Sequence, residues 1–473
     1  MVRFKSSPLQ GFVLAAFAFL SIACAKTSDP VVVDNNPFGP LLFSIPQANA
    51  ELSDPFTLKI EGPGIARAFF AVGQVIEAQI TEAPFEFIFD AASRPKGNYT
   101  LTVIAQHSTG QEERQSVDVV VARVRPPLQD LLDQIAAMPG ASWLEIPETQ
   151  VRDVDWGFVG NSRGDQGAII AAASGGALDT KRNRLVIWGS GGDIYRNDLY
   201  AFDLNTLEWS RLTDPSDWPQ GGANNAFDLA THVDGAPVAR HSYDAVEYIP
   251  APVDRLYIGG GSVDGQSTLF PDPKTYLFDF DTLTWTPGVE ITPIGLGTHS
   301  AIHPDGTIWQ HGAGGTASIL ANVDLAAQAS TNHVSFNGFY GLAAAADIDT
   351  SRNLYIAVGN SETRVWDLDD PDAESVVWST TGATEIEGRT RPGVVYHAGK
   401  DRLVCWSTSR DVYVLNLDTK VWTRLNTTGD DPGTGTVRGM HGRWRYVAAL
   451  DVFVTVTSVD RNVIVFRLPD FLP

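Results

Sequence analysis

Short runs of alternating apolar and polar residues fill the chain between residues 41 and 125. Turn residues separate these runs, as at Gly62-Pro63-Gly64 and Pro95-Lys96-Gly97-Asn98. Alternation with a period of two predicts half-buried strands, and clusters of Gly, Pro and Asn predict the turns that join them. The pattern predicts five strands, which are Phe56–Ile60, Ala68–Val72, Phe85–Phe89, Tyr99–Ile104 and Val117–Val121.

The apolar spacing becomes helical after two consecutive prolines, Pro126 and Pro127. The residues that follow the helical period are Leu128, Leu131, Leu132, Ile135 and Met138. Proline is common in the first turn of a helix, so this position suits a helix start. We therefore expect residues 126–141 to form a short helical linker between two folded parts.

From residue 142 to residue 473 the chain repeats one hairpin pattern. In each copy a strand ends at Asp or Asn, a turn follows, and a Trp stands six residues later: Asp203–Trp209, Asp279–Trp285 and Asn416–Trp422. A Tyr precedes each of these Trp residues by nine positions, and glycine runs such as Gly259–Gly261 lie upstream. Repeats of roughly 40–50 residues with four strands each predict a β-propeller.

The two ends of this repeated region complement each other. The last repeat lacks its outer Trp strand, whereas an unpaired strand pattern, Ser142–Pro147, precedes the first repeat. Joining them would close a ring and remove its exposed edges. The count is then six blades, with seven as the alternative. The six blades lie near residues 166–212, 240–287, 297–337, 340–380 and 391–426, and the last combines 440–468 with 142–147.

Two segments resemble known families. The glycine runs and Tyr/Trp hairpins resemble kelch repeats, which form galactose-oxidase-like propellers, over residues 142–473. The segment Gly97–Ala105 resembles the late strands of bacterial immunoglobulin-like modules, and residues 41–125 have the length of one such module. The resemblances imply an all-β chain, with an immunoglobulin-like sandwich followed by a six-bladed, or alternatively seven-bladed, kelch-like β-propeller.

Residues 1–23 have the pattern of an export signal. Arg3 and Lys5 precede the apolar run Gly11–Leu20, which is too short to span a bilayer comfortably, and small residues precede Cys24. This resembles a bacterial lipoprotein signal, although Ser21 stands where that family usually has Leu. The resemblance implies lipidation of Cys24, a tether over 24–40, and an address in the cell envelope at the outer membrane, facing the periplasm or the surface. An ordinary cleaved signal with a chance Cys is the alternative.

Composition narrows the function classes. The chain carries a formal charge of −22, which argues against nucleic acid as a partner. Hydrophobic residues make up 43% and charged residues 19%, which excludes a largely disordered chain. With two Cys in the whole sequence, a disulfide framework and a Cys-based zinc site are also excluded.

Function in a propeller belongs to the loops at one end of its channel, because most aromatic residues of the blades form the core. The loops that enter each innermost strand and those between second and third strands meet there. The candidates for ligand binding are Arg196, Arg240, His299, Tyr340, Arg389, Arg391 and His441, and the candidates for catalysis are His241, Tyr243 and Arg438. A single rim Arg is more often a structural donor than a ligand contact, so the clustering of several is the informative signal.

Sharper chemical assignments fail. The best-known galactose-oxidase-like enzyme is a copper radical oxidase that uses a Tyr–Cys cofactor and two His. Cys405 lies inside a strand without such a His pair nearby in sequence, so copper oxidation is not expected. No metal site and no cofactor are predicted; calcium at Asp367–Asp372 or Asp430–Asp431 is the alternative, although these stretches lack the full loop spacing.

Three functions remain open. The first is recognition of a carbohydrate, an acidic polysaccharide, at the propeller mouth of a membrane-tethered protein. The second is a polysaccharide lyase that uses Arg, His and Tyr at the same mouth, since β-elimination needs a cation, a base and an acid. The third is a scaffold for protein–protein interaction. Recognition ranks first because the sequence contains no recognisable catalytic motif, and whether the chain is an enzyme stays open.

Overall fold

The computed structural model describes residues 31–33, 40–91, 94, 97–122, 125–154, 168–171, 173, 175–189, 196–216, 231–232, 234–265, 268–271, 274–291, 297–314, 317–336, 344–436 and 438–472. The chain divides into two compact units, Met1–Val124 and Arg125–Pro473. Strands dominate both, so the chain is all-β as expected. Among the described residues, none of the helices has the length and apolar character needed to cross a bilayer.

Two sheets form the first unit. In spatial order, sheet A contains Val31–Val33, Leu41–Ser44, Phe56–Glu61 and Phe85–Phe89, and sheet B contains Ala50–Leu52, Glu112–Val121, Gly97–His107, Ile65–Val72 and Val75–Ile80. All five predicted strands are therefore confirmed. Val31–Val33 pairs with Leu41–Phe43, within the range that we expected to be a tether.

One apolar core joins these two sheets. Phe43 and Leu58 of sheet A are buried in the same cluster as Phe70 and Val103 of sheet B. This follows from the alternating pattern, because every second residue of each strand faces the opposite sheet. The first unit is thus a β-sandwich.

The second unit is built from small antiparallel sheets, numbered here in chain order. Sheet 1 contains Gly176–Asp179, Arg184–Trp188, Leu199–Asp203 and Glu208–Arg211; sheet 2 contains Val246–Ile249, Arg255–Ile258, Lys274–Asp279 and Thr284–Glu290. Sheet 3 contains His299–Ile302, Ile308–Gly314, Ala317–Asp324 and Ala329–Phe336; sheet 4 contains Ala344–Asp349, Leu354–Gly359, Glu362–Asp367 and Val376–Val377.

Two further sheets carry an added edge strand. Sheet 5 contains Gly393–His397, Arg402–Trp406, Val412–Asn416 and Val421–Arg424, with Thr381–Gly382 paired in parallel at its outer edge. Sheet 6 contains Arg445–Val447, Val452–Thr455, Ile464–Arg467, Ser142–Glu145 and Thr428–Gly429. A separate small sheet of Arg240–His241, Ser262–Gly265 and Thr268–Pro271 accompanies sheet 2.

The first strands of these six sheets form a ring around a channel. Each first strand contacts the first strand of the next sheet, and Arg445–Val447 of sheet 6 contacts Gly176–Asp179 of sheet 1. Radial repetition of four-stranded antiparallel sheets is the architecture of a β-propeller. The described part of the second unit has this architecture.

The ring closes through a strand from the beginning of the unit. Ser142–Glu145 pairs antiparallel with Ile464–Arg467, which confirms the predicted closure. Trp143 is buried there against Phe466, Trp406 and Trp444, with ring centroids 4.8, 5.4 and 5.7 Å away. The helix Leu128–Ala136 lies just before this strand and buries Leu131 and Ile135 in the core of the same unit.

The repeated hairpins explain the Asp/Asn-to-Trp spacing. Asp203 Oδ1 accepts the backbone N–H groups of Asn205 and Thr206, and Leu207 then adopts a left-handed φ of 57°. Capping of its own turn by Asp or Asn is a common device because the short side chain reaches the next N–H groups. Asp279 and Asn416 form the same turn.

Two arginines join neighbouring sheets at the end of the channel where first and second strands are connected. Arg182, after the first strand of sheet 1, bridges Asp179 to Asp254 and Asp281 of sheet 2. Arg352 of sheet 4 bridges Asp349 to Asp401 and Asp418 of sheet 5 in the same way. The equivalent Asp-x-x-Arg-Asn segments at 179–183 and 349–353 therefore have an inter-sheet role.

Candidate functional site

The mouth is the end of the channel at which the chain enters the first strand of each sheet. Three residues occupy equivalent places there, since each stands five positions before a Tyr of its first strand: Tyr243, Arg391 and His441. All three have a left-handed backbone, with φ of 51°, 48° and 47°. A residue other than Gly adopts this conformation at a cost of roughly 1–2 kcal/mol. Backbone strain of this kind tends to concentrate at functional sites.

These residues are in contact, and two more predicted residues join them. His241 Nδ1 lies 3.3 Å from the Tyr243 hydroxyl, and the Tyr243 and His441 rings meet edge to face with centroids 5.6 Å apart. The Arg391 guanidinium lies 5.0 Å above the Tyr243 ring, and its Nη1 donates to the backbone oxygen of Arg438 at 2.8 Å. We name these five residues the mouth cluster.

The mouth cluster has two layers. His241, Tyr243 and His441 are buried, with exposed fractions of 7%, 5% and 1%, whereas Arg391 is partly exposed and Arg438 is exposed. A ligand that approaches the channel therefore meets guanidinium groups before it meets the rings. The Tyr243 ring holds the Arg391 side chain in place by a cation–π contact.

Electrostatics make this cluster cationic. Burial lowers the pKa of His441 well below its usual value, and the positive charges of Arg443 and Arg391 lower it further. His441 is therefore neutral at pH 7. Burial also lowers the pKa of Arg391, but an arginine starts so high that it keeps its charge. Both arginines of the mouth cluster thus carry a positive charge.

The structure buries the side chains of two other candidates. Arg240 is buried, lies 4.8 Å above the Tyr276 ring and donates to the backbone oxygen of Val238. Adjacent residues of a strand point to opposite sides, so Arg240 diverges from His241. Arg196 is also buried, and its guanidinium donates to the Asp198 carboxylate and to the Tyr200 hydroxyl.

The remaining candidates have other contacts or lie outside the described residues. His299 Nδ1 lies 2.7 Å from the Tyr355 hydroxyl, and its Nε2 lies 3.2 Å from Nδ1 of His311. Burial lowers the pKa of His299 to about 3, so the pair of imidazoles, His299 and His311, stays neutral. Arg389 is partly exposed and interacts with Tyr413 of sheet 5. Tyr340 and Cys24 lie outside the described residues.

Sequence reasoning missed a group of charges inside the channel. Glu247 of sheet 2 accepts hydrogen bonds from Ser300 Oγ and from Arg445 Nη2, each at 3.2 Å. Burial raises the pKa of Glu247 to about 7 against the opposing effect of Arg445, and it raises the pKa of Asp244 well above its usual value. The sequence feature that could have predicted this group is the presence of three charged residues, Asp244, Glu247 and Arg445, at the innermost strands, where apolar residues are the rule.

Metal chemistry finds no support in the described residues, which contain no group of three or more His, Cys, Asp or Glu arranged to hold a metal ion. Cys405 is buried in sheet 5, and burial raises the pKa of its thiol well above the usual value. A thiol in this state is a core side chain and a poor nucleophile.

Comparisons with known proteins give only distant likenesses. No protein-family model and no curated protein matches the sequence. An auxiliary nutrient-binding protein from Bacteroides ovatus is 10% identical, with 93% of this chain and 97% of that chain covered at a TM-score of 0.43. A quinoprotein alcohol dehydrogenase-like protein from Bacteroides thetaiotaomicron is 10% identical. The match covers 84% of this chain and 96% of that chain, with a TM-score of 0.32. Fibronectin(III)-like modules of Clostridium thermocellum CbhA are 23% identical. The match covers 18% of this chain and 96% of that chain, with a TM-score of 0.15.

Proposed function

We propose that the second unit recognises a carbohydrate, an acidic polysaccharide, at the mouth of its channel. The observation that carries the proposal is the mouth cluster, in which strained backbone positions beside sheets 2, 5 and 6 bring Arg391 over the buried Tyr243 ring and into contact with the backbone of the exposed Arg438. The planar donors of Arg suit carboxylate and sulfate groups, which they bind through paired hydrogen bonds.

The charge of the whole chain sharpens this proposal. A formal charge of −22 repels an anionic polymer, so binding depends on a local positive site. Because such an interaction is electrostatic and exposed to solvent, it should weaken as salt concentration rises.

The test is a binding assay with polygalacturonate and a sulfated polysaccharide, compared with a neutral glucan. Arg391→Ala and Arg438→Ala should each weaken binding by about tenfold or more, the loss of one charge-assisted hydrogen bond. Arg424→Ala is the control, since Arg424 is an exposed arginine of the outer strand of sheet 5. Tight binding of the neutral glucan alone, unchanged by either mouth substitution, would overturn the proposal.

A lyase is the second candidate, and the contact between His241 and Tyr243 favours it. A β-elimination needs a base for the proton next to the uronate carboxylate and an acid for the leaving oxygen, which a His–Tyr pair can provide beside Arg. Ultraviolet absorbance of unsaturated uronate products distinguishes the two. A lyase variant Tyr243→Phe would lose turnover and keep most of its affinity, whereas a binding protein generates no such absorbance.

We further propose the finer fold and address that the sequence suggests. The Tyr/Trp hairpins and the six sheets support a six-bladed kelch-type propeller, and the two-sheet core of the first unit supports an immunoglobulin-like sandwich acting as a spacer. Lipidation of Cys24 would tether both to the outer membrane. The variant Cys24→Ser should then leave the membrane fraction, and its continued sedimentation with membranes would contradict the lipoprotein proposal.

A further inference from the structure

A cavity of about 290 Å³ lies in the channel on the side away from the mouth cluster. Its lining includes residues from the first strand of each of the six sheets, and the turn residues Thr180 and Pro250 place it at the end where first and second strands are connected. The volume is just below the roughly 300–1,000 Å³ of pockets for drug-sized ligands. The cavity therefore suits a small molecule.

Three tyrosines supply aromatic walls. Tyr248, Tyr396 and Tyr446 line the cavity near the ends of the first strands of sheets 2, 5 and 6. Their hydroxyl groups donate to aspartates of the following turns at 2.7, 3.0 and 2.8 Å; these are Asp254, Asp401 and Asp451. Because the hydroxyl hydrogens are already used, the tyrosines offer the cavity ring surface, which attracts cations.

Charged groups line the deeper part of the cavity, and negative charge is in excess. Glu247 is paired with Arg445, which also donates to the backbone oxygens of Gly176 and Gly442. Asp347 accepts backbone N–H groups, from Ile348 at 2.8 Å and Tyr396 at 2.7 Å. Within the described residues, no Lys or Arg forms an ion pair with Asp347. Two carboxylates thus face one guanidinium in the lining.

We propose that this cavity binds a small organic ammonium ion between its two carboxylates and its three tyrosine rings. An ammonium group donates three hydrogen bonds, and each carboxylate oxygen has a second lone pair available beyond the one already used. The rings add a cation–π attraction that an uncharged molecule would lack. The site is separate from the mouth cluster, so it does not depend on the proposed carbohydrate function.

The surrounding charges couple this binding to protons. The titratable and polar groups that interact with Glu247 come from several elements: they are Asp244, Tyr257, Ser300, Asp347, Tyr355 and Arg445. Burial raises the pKa of Glu247 to about 7, and the negative charge of Asp347 contributes to the rise. A bound cation would favour the ionised Glu247, so binding near pH 7 should release protons and should weaken as the pH falls.

The test is calorimetric titration of the full-length protein with n-butylammonium chloride, with 1-butanol as the uncharged probe. We expect saturable binding of the ammonium ion, at least fivefold tighter at pH 8 than at pH 6, and no saturable binding of the alcohol. Titrations in two buffers of different ionisation enthalpy measure the proton release. Equal binding of the alcohol, or no binding of the ammonium ion by the parent protein, would overturn the proposal.

Variants assign the binding to this cavity. Asp347→Asn should weaken it at least fivefold, because the amide has lost the charge. Tyr446→Leu removes a ring and should weaken it about threefold or more, whereas Tyr446→Phe keeps the ring and should stay within twofold of the parent. Arg391→Ala at the mouth should leave it unchanged. Ammonium binding that survives both Asp347→Asn and Tyr446→Leu would contradict the proposed location.

Discussion

Trp143 and Phe466 pair across neighbouring strands with ring centroids 4.8 Å apart, although they belong to opposite ends of the second unit. Trp143 is also in contact with Trp406 of sheet 5 and Trp444 of sheet 6, and its exposed fraction is 2%. The seam of the ring is therefore a cluster of large aromatic side chains. Its stability depends on packing between sheets 5 and 6 as well as on strand hydrogen bonds.

Trp143→Ala should lower the free energy of unfolding of the second unit by about 3–5 kcal/mol, because it removes a fully buried indole and leaves a cavity. Denaturant titration followed by tryptophan fluorescence and by circular dichroism measures the change. Phe471→Ala is the control, since Phe471 is 95% exposed and its loss should change little. An unfolding midpoint equal to that of the parent would contradict the role of this strand in the seam.

The strained backbone at the mouth predicts that a Gly variant is more stable there than an Ala variant, which is the reverse of the usual order of stability. At Arg391, with φ of 48°, the Gly variant should be about 1 kcal/mol more stable than the Ala variant, because Gly has no Cβ to clash in this conformation. Arg389 has no such backbone conformation, so Arg389→Gly should be less stable than Arg389→Ala. Denaturant unfolding of the four variants compares the two positions, and the same order at both would exclude strain at Arg391.

The inter-sheet arginines predict a specific response to acid. Hydrogen bonds from Arg352 lower the pKa of Asp401 to about 2, against an unfolded value of about 3.9. A group with a lowered pKa stabilises the folded state above the unfolded pKa, and this stabilisation disappears as the pH falls from about 4 towards 2. Arg352→Gln should therefore make unfolding less dependent on pH in this range, measured by urea titrations between pH 5 and pH 3.

The exposed Arg424 provides the control for that experiment. Its nearest carboxylate oxygens, on Asp411 and Glu385, lie at 3.9 and 4.0 Å, too far for a close hydrogen-bonded pair. Arg424→Gln should leave the pH dependence as it is in the parent. Parallel behaviour of the two variants would mean that the bridge between sheets 4 and 5 has no special part in acid stability.

The channel predicts the opposite dependence at higher pH. Glu247 has a raised pKa of about 7 in the folded state, so the folded state loses stability as the pH rises from about 4.5 to 7. The loss is at most about 3–4 kcal/mol, since each pKa unit corresponds to about 1.4 kcal/mol. Glu247→Gln should flatten this part of the pH profile, whereas Glu374→Gln at an exposed position should not. A profile that is unchanged in Glu247→Gln would place the titration elsewhere.

The sequence predicted the parts of the fold that depend on local patterns. Trp209, Trp285 and Trp422 mark hairpins because the Asp or Asn six residues earlier caps its own turn, which is a short-range interaction. The closing strand was predictable because Ser142–Glu145 had no partner strand nearby in sequence and the last repeat lacked its outer strand. Both inferences use rules that operate within one hairpin or at one edge.

The candidate site was predicted only in part, because its geometry depends on the ring. Glu247 and Arg445 are 198 positions apart and meet only once six sheets have closed around the channel. No periodicity in the sequence shows such a pair. Arg240 illustrates a different limit. The next residue, His241, joins the mouth cluster with Tyr243, whereas Arg240 points to the other side of its strand and covers Tyr276.

The position of the closing strand also sets the order of events during synthesis. The ribosome makes residues 142–145 before any of the six sheets, yet their partner strand, Ile464–Arg467, is made after all the others. The nascent chain must therefore keep this early segment unpaired and available while several hundred residues emerge. Closure of the ring is in this sense the last step in folding the propeller, and until it occurs the edge of Ile464–Arg467 is open to pairing with another chain.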